Sequence, residues 1–288
     1  MKKTRILIIG KTGQLGSELI KIFKNNRLLT PSINELDISK KDQTKKYVLD
    51  HQPQIIINTA AYLNLDKCEE NPYIAFAINW LAVRDLVFVA KKINAFFIHL
   101  STNYVFDGQK KTPYKEDDTP RPLQVYGMSK LAGEETVLKH YPENSMIIRT
   151  SVLFGGKGSP EKGNFILNRI KDSQKKHLMV DLKQRFSITY AKDLALAIKK
   201  IIDSRPNPGI YHIVNQGICT WFDLTQYVFK LIASDCKLQS EKQADTNDKI
   251  RRPLHTFLNT SKIKSMNIEL PFWKKAVKRY LKEIRQIK

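Results

Sequence analysis

The stretch Arg5-Ile6-Leu7-Ile8-Ile9-Gly10-Lys11-Thr12-Gly13-Gln14-Leu15-Gly16 decides the fold. Arg5 to Ile9 is a short, apolar, β-branched run, the pattern of a strand buried on both faces of a parallel sheet. Glycines follow at once, and Ser17-Glu18-Leu19-Ile20-Lys21-Ile22-Phe23 then places apolar residues at helical spacing. Strand, glycine turn and helix form the setting in which a glycine motif counts as a dinucleotide fingerprint. The glycines allow a tight turn and close backbone approach, and the helix N-terminus meets a pyrophosphate. The spacing is G-x-x-G-x-x-G, not G-x-G-x-x-G. Gly10, Thr12, Gly13, Gln14, Leu15 and Gly16 are therefore expected to bind a coenzyme.

Further strands continue the theme. Arg27 to Thr30 is expected as the second strand, and no Asp or Glu stands at its end to hold a ribose 2′-hydroxyl, which leaves NADPH open beside NADH. Asp37, in Leu36-Asp37-Ile38, either approaches the adenine side or caps a helix starting near Lys40. Ile55-Ile56-Ile57 is the third strand. It runs into Asn58-Thr59-Ala60-Ala61-Tyr62, whose small residues let a coenzyme lie against the strand end. Pro72 to Ile93 reads as one long amphipathic helix in which Asn79 is a core hydrogen bonder or a relay to the site. Ala95 to Leu100 is the fourth strand and Met146 to Thr150 the fifth. The charged, proline-bearing stretch from Asp107 to Pro122 reads as a loop bordering a cleft.

Tyr126-Gly127-Met128-Ser129-Lys130 carries the chemistry. On a helix, the i,i+4 spacing puts a phenol and an ammonium on one face, a turn apart. A free phenol titrates near ~10, and an adjacent cation is expected to pull that value down, giving a proton donor for carbonyl chemistry. Of the eleven tyrosines only Tyr126 has a lysine four residues on. Ser101-Thr102-Asn103-Tyr104-Val105-Phe106 falls at the edge of the fourth strand, where a hydroxyl could polarise the same carbonyl. Ser101 and Thr102 compete for that role.

After Gly155-Gly156-Lys157-Gly158 the alternation of strands and helices loosens, which suggests a smaller lobe. The expected division is a coenzyme domain over 1–150, with about 186–215 returning to it, and a substrate lobe over the rest of 151–288. Phe165 to Ser173, Tyr190 to Ile202, Trp221 to Ala233 and Phe272 to Ile287 read as helices, and Gly209 to Val214 as a strand. The fold class is thus α/β, a doubly wound parallel sheet of Rossmann type with a smaller C-terminal lobe.

At 288 residues with 42% hydrophobic side chains, the chain can bury a sizeable core. The formal charge of +21 would suit nucleic acid or a membrane surface. The basic residues are spread along the chain, however, and the densest runs, Lys171 to Lys176 and Lys274 to Arg279, lie in helix-like segments. No nucleic-acid or membrane partner is expected. Cys68, Cys219 and Cys236 are odd in number, far apart and without metal-ligand spacing, so a reducing, cytoplasmic setting is expected, with no metal site. The start Met1-Lys2-Lys3-Thr4-Arg5 with Ile6 to Ile9 is too short for a signal peptide, and no run approaches membrane-spanning length.

The glycine turn, Ser101-Thr102-Asn103-Tyr104-Val105-Phe106-Asp107-Gly108 and Tyr126-Gly127-Met128-Ser129-Lys130-Leu131-Ala132-Gly133-Glu134 together resemble the extended short-chain dehydrogenase/reductase family, in its dTDP-4-dehydrorhamnose reductase branch. Further matches are Arg149-Thr150-Ser151, Gly163-Asn164-Phe165 and Arg251-Arg252-Pro253 through Leu270-Pro271-Phe272-Trp273. The resemblance implies reduction, by NADPH or NADH, of the C4 keto group of a nucleotide-activated 6-deoxy-hexulose. It assigns the catalytic hydroxyl to Thr102, the proton donor to Tyr126, and to Lys130 both a lowering of the phenol's pKa and a hold on the coenzyme. It adds Asp37, Ile38, Ala60, Ala61, Tyr62 and Asn79 to the coenzyme set. Leu65, Thr102, Asn103, Tyr104, Tyr126, Val152, Asn164 and Arg252 form the implied sugar-nucleotide set. Homodimers and, in some members, Mg2+ also come with the resemblance. Three departures cluster on the sugar side: Asn103 stands where the family usually has Asp, Val152 where it has Trp, and Lys183 to Thr189 where it has D-Q-x-G-x-P-T. The alternative is a non-catalytic NADP-binding module resembling the β subunit of methionine adenosyltransferase.

Overall fold

The computed structural model describes residues 3–156, 163–241 and 250–287. Lys157 and Gly158 of the glycine break lie outside them. The first half alternates strand and helix: β1 (Arg5–Ile9), α1 (Gln14–Ile22), β2 (Arg27–Leu29), α2 (Lys41–His51), β3 (Ile55–Asn58), α3 (Leu65–Glu70), α4 (Pro72–Phe76), α5 (Ala82–Lys92), β4 (Phe96–Thr102), α6 (Val125–His140) and β5 (Ser145–Thr150). Then follow β6 (Leu153–Phe154), α7 (Phe165–Asp172), β7 (His177–Asp181), β8 (Arg185–Phe186), β9 (Thr189–Tyr190), α8 (Ala191–Ser204) and β10 (Gly209–His212). The chain ends with β11 (Cys219–Thr220), α9 (Trp221–Leu231), β12 (Lys237–Glu241), β13 (His255–Thr256), α10 (Ser261–Lys264) and α11 (Trp273–Glu283).

Six parallel strands form the central sheet in the order β10-β5-β4-β3-β1-β2. The alternation within β1 shows why it is apolar throughout. Ile6 and Ile8 join a core with Leu19 of α1 and Ile198 of α8, while Leu7 and Ile9 join another with Val83 and Leu86 of α5. Each such fully buried aliphatic side chain contributes about 1.5–3 kcal/mol. Because β2 and β3 flank β1 on opposite sides, the winding reverses between β1 and β3, and the strand ends there open a crevice. Gly10, Thr59 and Thr102 lie at that edge. A second core, with Phe154, Ile166, Phe186, Leu224 and Trp273, belongs to the later elements and their small sheets.

The segment from Pro72 to Ile93 departs from a regular helix. Between α4 and α5 a π-helical turn spans Ala77–Leu81 and buries Asn79 against α6. Contrary to expectation, Pro72–Lys92 is long and apolar enough to cross a membrane by length and composition. Its apolar side is a core face, for Val83, Leu86, Val87 and Ala90 are buried against the sheet. The fourth strand also runs further than expected, through Ser101 and Thr102, which pair with Arg149 and Thr150 of β5. It can do so because Ser101 finds a buried partner, donating from Oγ to Glu134 Oε1.

Glu134 fixes α6 to the sheet. Arg149 of β5 donates to it from Nε (3.0 Å to Oε1) and Nη2 (2.6 Å to Oε2), and both side chains are buried. Fixing α6 fixes Lys130 and Tyr126, about one and two turns earlier on the same helix. Arg149→Leu, which strands a buried carboxylate, should lower stability by about 3–5 kcal/mol, read as a shifted urea unfolding midpoint.

Candidate active site

One cleft opens at the C-terminal edge of the sheet. It is lined at one end by Gly13, Gln14 and Leu15, and at the other by Thr102, Asn103, Tyr126 and Lys130. Three glycines shape the loop at the first end in different ways. Gly10 has φ +90°, and a Cβ there would lie 2.5 Å from Thr59 Oγ1. A Cβ on Gly16 would lie 2.1 Å from Gly10 O, so this glycine lets α1 pack on the turn. Gly13 is different, because its Cβ would meet only Gly10 O, at 3.3 Å, and its side is otherwise open.

Those features suit a dinucleotide phosphate. The first turn of α1 leaves N–H groups without carbonyl partners within the helix, at the positive end of its dipole. Gln14 Oε1 is buried there without a hydrogen-bond partner among the described residues. Gly13, Gln14 and Leu15 would hold the pyrophosphate. Thr12 is exposed at the loop tip, and Lys11 reaches across to donate from Nζ to Thr30 O (2.9 Å), just past β2.

At the chemical end, Thr102 Oγ1 accepts from Tyr104 N (3.2 Å) and donates to Asn103 Oδ1 (3.3 Å). Asn103 Nδ2 in turn donates to Thr256 Oγ1 (2.7 Å), tying β4 to β13. Tyr126 stands edge-on to Tyr104, with ring centroids 6.3 Å apart, and lines the same cleft as Thr102. The expected net lowering of the phenol's pKa is not found. Burial pushes Tyr126 well above the ordinary tyrosine value, and the Thr102 side chain is the opposing influence. Lys130 Nζ donates instead to Leu100 O (2.6 Å) and lies 3.2 Å from His99 Nε2. Its own burial brings its pKa down to about 8, opposed by Glu134. The result is a phenol that stays protonated at neutral pH beside a hydroxyl and a readily titrated ammonium, an arrangement that can deliver a proton to a carbonyl.

Of the other residues expected at the site, Ala61 and Val152 line the cleft, whereas Asp37, Ile38, Ala60, Tyr62, Asn79, Leu65, Tyr104, Asn164 and Arg252 do not. Asp37 does not cap α2; its Oδ1 accepts from Ser39 N (3.0 Å) and Oγ (2.7 Å). The Ile38 side chain is in the core. Asn79 is the core hydrogen bonder of its two alternatives: its amide accepts from Tyr62 N (2.8 Å) and donates to Tyr62 O and Ser129 Oγ (both 3.0 Å). Asn164 caps α7 through Leu167 N (3.0 Å) and donates to Tyr280 Oη (2.8 Å). Arg252 is exposed. Thr59, Leu63, Thr150, Ser151 and Leu153 line the cleft without having been singled out. For Thr150 and Ser151 the signal was available, since they end a parallel strand. Val152 holds φ +33°, a left-handed conformation that a β-branched residue adopts at a cost of about 1–3 kcal/mol. Among the described residues no group of three or more His, Cys, Asp or Glu side chains could hold a metal ion.

A family model described as RmlD substrate binding domain matches residues 4–286, nearly the whole chain. The chain belongs to that family. This places it in the dTDP-4-dehydrorhamnose reductase branch of the extended short-chain dehydrogenases/reductases. It is 33% identical to the spore coat polysaccharide biosynthesis protein SpsK of Bacillus subtilis (strain 168), over 97% of this chain and 98% of that protein. It is also 33% identical to the dTDP-4-dehydrorhamnose reductase of Aggregatibacter actinomycetemcomitans, over 95% of this chain and 97% of the relative. The crystal structure of dTDP-4-dehydrorhamnose reductase from Bacillus anthracis in complex with NADP superposes with a TM-score of 0.92 at 28% identity, covering 98% of this chain and 100% of that one.

The open side of Gly13 yields a test of the RmlD-type coenzyme cradle. Its backbone has φ −72°, which any residue tolerates, so Gly13→Val should fold. We expect it to weaken NADPH binding at least roughly tenfold, or about 1.4 kcal/mol. Calorimetric titration measures this, with the thermal midpoint checking that the fold is intact.

Proposed function

We propose that the chain reduces the C4 keto group of a nucleotide-activated 6-deoxy-hexulose in dTDP-L-rhamnose or related cell-surface sugar biosynthesis. The observation that carries this reading is the meeting of Thr102, Tyr126 and Lys130 in one cleft with the first turn of α1. NADPH or NADH, when bound, supplies the hydride. Tyr126 gives its hydroxyl proton to the sugar's carbonyl oxygen, and Thr102 orients that oxygen with its own hydroxyl. Lys130, as an ammonium, stabilises the phenolate left behind, and the phenolate is then reprotonated from solvent. Ala61 and Leu63 also line the cleft.

Residues 1–150, with about 186–215 returning to the sheet, would carry the coenzyme, and the remainder of 151–288 the sugar nucleotide. The ring pocket is shaped by Val152 and Asn103, which leaves it without the stacking area of a tryptophan. NADPH is the favoured coenzyme, because Lys11 brings a positive charge to the end of β2, where the adenine ribose of such folds lies. The three cysteines are free and buried, which supports a reducing, cytoplasmic setting. Assembly as a homodimer is proposed on family grounds and would be read by sedimentation.

Incubation with NADPH and a panel of dTDP-4-keto-6-deoxy sugars should consume the coenzyme. Tight binding without consumption would favour the regulatory module instead. Tyr126→Phe should lose about 10²–10⁴-fold in turnover. Because Lys130 must be charged to stabilise the phenolate, kcat/KM should fall as pH rises through about 8. Lys11→Ala should narrow the preference for NADPH over NADH, measured as the ratio of their dissociation constants.

A further inference from the structure

Beneath Lys130 lies an imidazole for which the chemistry above has no use. His99 is fully buried in β4, in a run that is otherwise apolar from Phe96 to Leu100. Its Nε2 is 3.2 Å from Lys130 Nζ, and its Nδ1 is 3.4 Å from Asn58 Nδ2. The ring stacks on Phe97 with centroids 6.2 Å apart. Gly133 of α6 lies beside the ring and packs on the π turn: a Cβ there would lie 2.5 Å from Asn79 O and in ordinary contact, 3.4 Å, with Nε2.

The charges around the ring are few. On α6 they are Lys130 and Glu134, and Glu134 is engaged by Arg149 of β5 and by Ser101. From β3 and the π turn come only the uncharged Asn58 and Asn79. Burial and the Lys130 charge hold His99 well below the ordinary histidine value, so the ring is neutral. A neutral imidazole has one lone pair; when Nε2 offers it to the ammonium, Nδ1 carries the ring proton, so its 3.4 Å approach to Asn58 Nδ2 is a contact between two donors and not a hydrogen bond.

We propose that His99 is a positioning residue for the reduction, the second fixed acceptor of the Lys130 ammonium, holding Nζ at the cleft floor in its charged form. Two of the three lysine donors are then committed, to Leu100 O and His99 Nε2, and the third is left for the cleft. A buried ammonium keeps its proton only as far as acceptors compensate for lost water. The Leu100 carbonyl is set by the sheet, so His99 is the acceptor that a side chain provides. The inference rests on the reading of Tyr126 and Lys130 as a proton-delivering pair.

Two measurements test it. The pH profile of kcat/KM for NADPH-dependent reduction of a dTDP-4-keto-6-deoxy sugar has an alkaline limb set by Lys130. In His99→Leu that limb should move down by about one pH unit, the scale of one hydrogen bond to a charged group. His99→Gln, whose amide oxygen can accept, should restore it. A loss of thermal stability shared by both variants, with the limb unmoved, would overturn the proposal and leave His99 a packing residue. In the wild-type chain without coenzyme, nitrogen NMR of His99 should show a neutral ring with Nε2 unprotonated and a signal that responds as Lys130 titrates near pH 8. An Nε2 that carries the proton at neutral pH, or a signal that ignores that titration, would equally overturn it. Absence of any turnover in the wild type would refute the assigned reaction while leaving the NMR result to decide on His99.

Discussion

The buried pair of Glu134 and Arg149 is the constraint on which the site depends. Its net contribution to stability need not be large, because taking two charges out of water costs about as much as their attraction returns. What the pair adds is register. An arginine fork reading both oxygens of a carboxylate tolerates little sliding, and Ser101 closes the remaining side of the carboxylate. Helix α6 is thereby indexed to β4 and β5, and with it the phenol and ammonium that face the strand ends.

Around that index the sheet performs the usual work of a doubly wound fold. The reversal of winding between β1 and β3 leaves a crevice that no crossover helix fills, and the α1 dipole points into it. The same burial that excludes water sets the acid–base balance. It raises the Tyr126 phenol and lowers the Lys130 ammonium, so that both shift toward their neutral forms. Proton delivery then depends on the groups that compensate the charges: Thr102 for the phenolate, and Leu100 O for the ammonium. A site of this kind is tuned by its acceptors and donors more than by the pairing of the two titrating groups with each other.

Much of this was legible in the chain itself. Arg5 to Ile9 and Ile55 to Ile57 read as buried parallel strands because an apolar run without alternation has no face for water, and the structure sends alternate residues to two cores. The glycine turn was legible because helix packing at Gly16 and the turn at Gly10 allow no other side chain. The direction of the Tyr126 shift was not, because i,i+4 spacing reports neighbours and says nothing of desolvation. Nor was the fate of Asn79, whose partners are the Tyr62 backbone, seventeen residues away, and Ser129, fifty residues away. Leu63 is exposed and belongs to a loop, so no periodicity could mark it as lining the cleft. The sheet β11-β8-β13, with strands of two residues, is too short for alternation to register at all.

The π turn at Ala77–Leu81 carries one last implication. Such a turn holds one more residue than α-helical winding needs, and each residue advances the helix by about 100°. The surplus acts as a phase offset, letting α4 present one side to α6 while α5 keeps its apolar stripe on the sheet. Excision of a single residue there would leave every hydrophobic position in the chain unchanged in kind. It would nonetheless rotate Pro72–Phe76 out of step with the rest and unhook the amide that clamps the Tyr62 backbone.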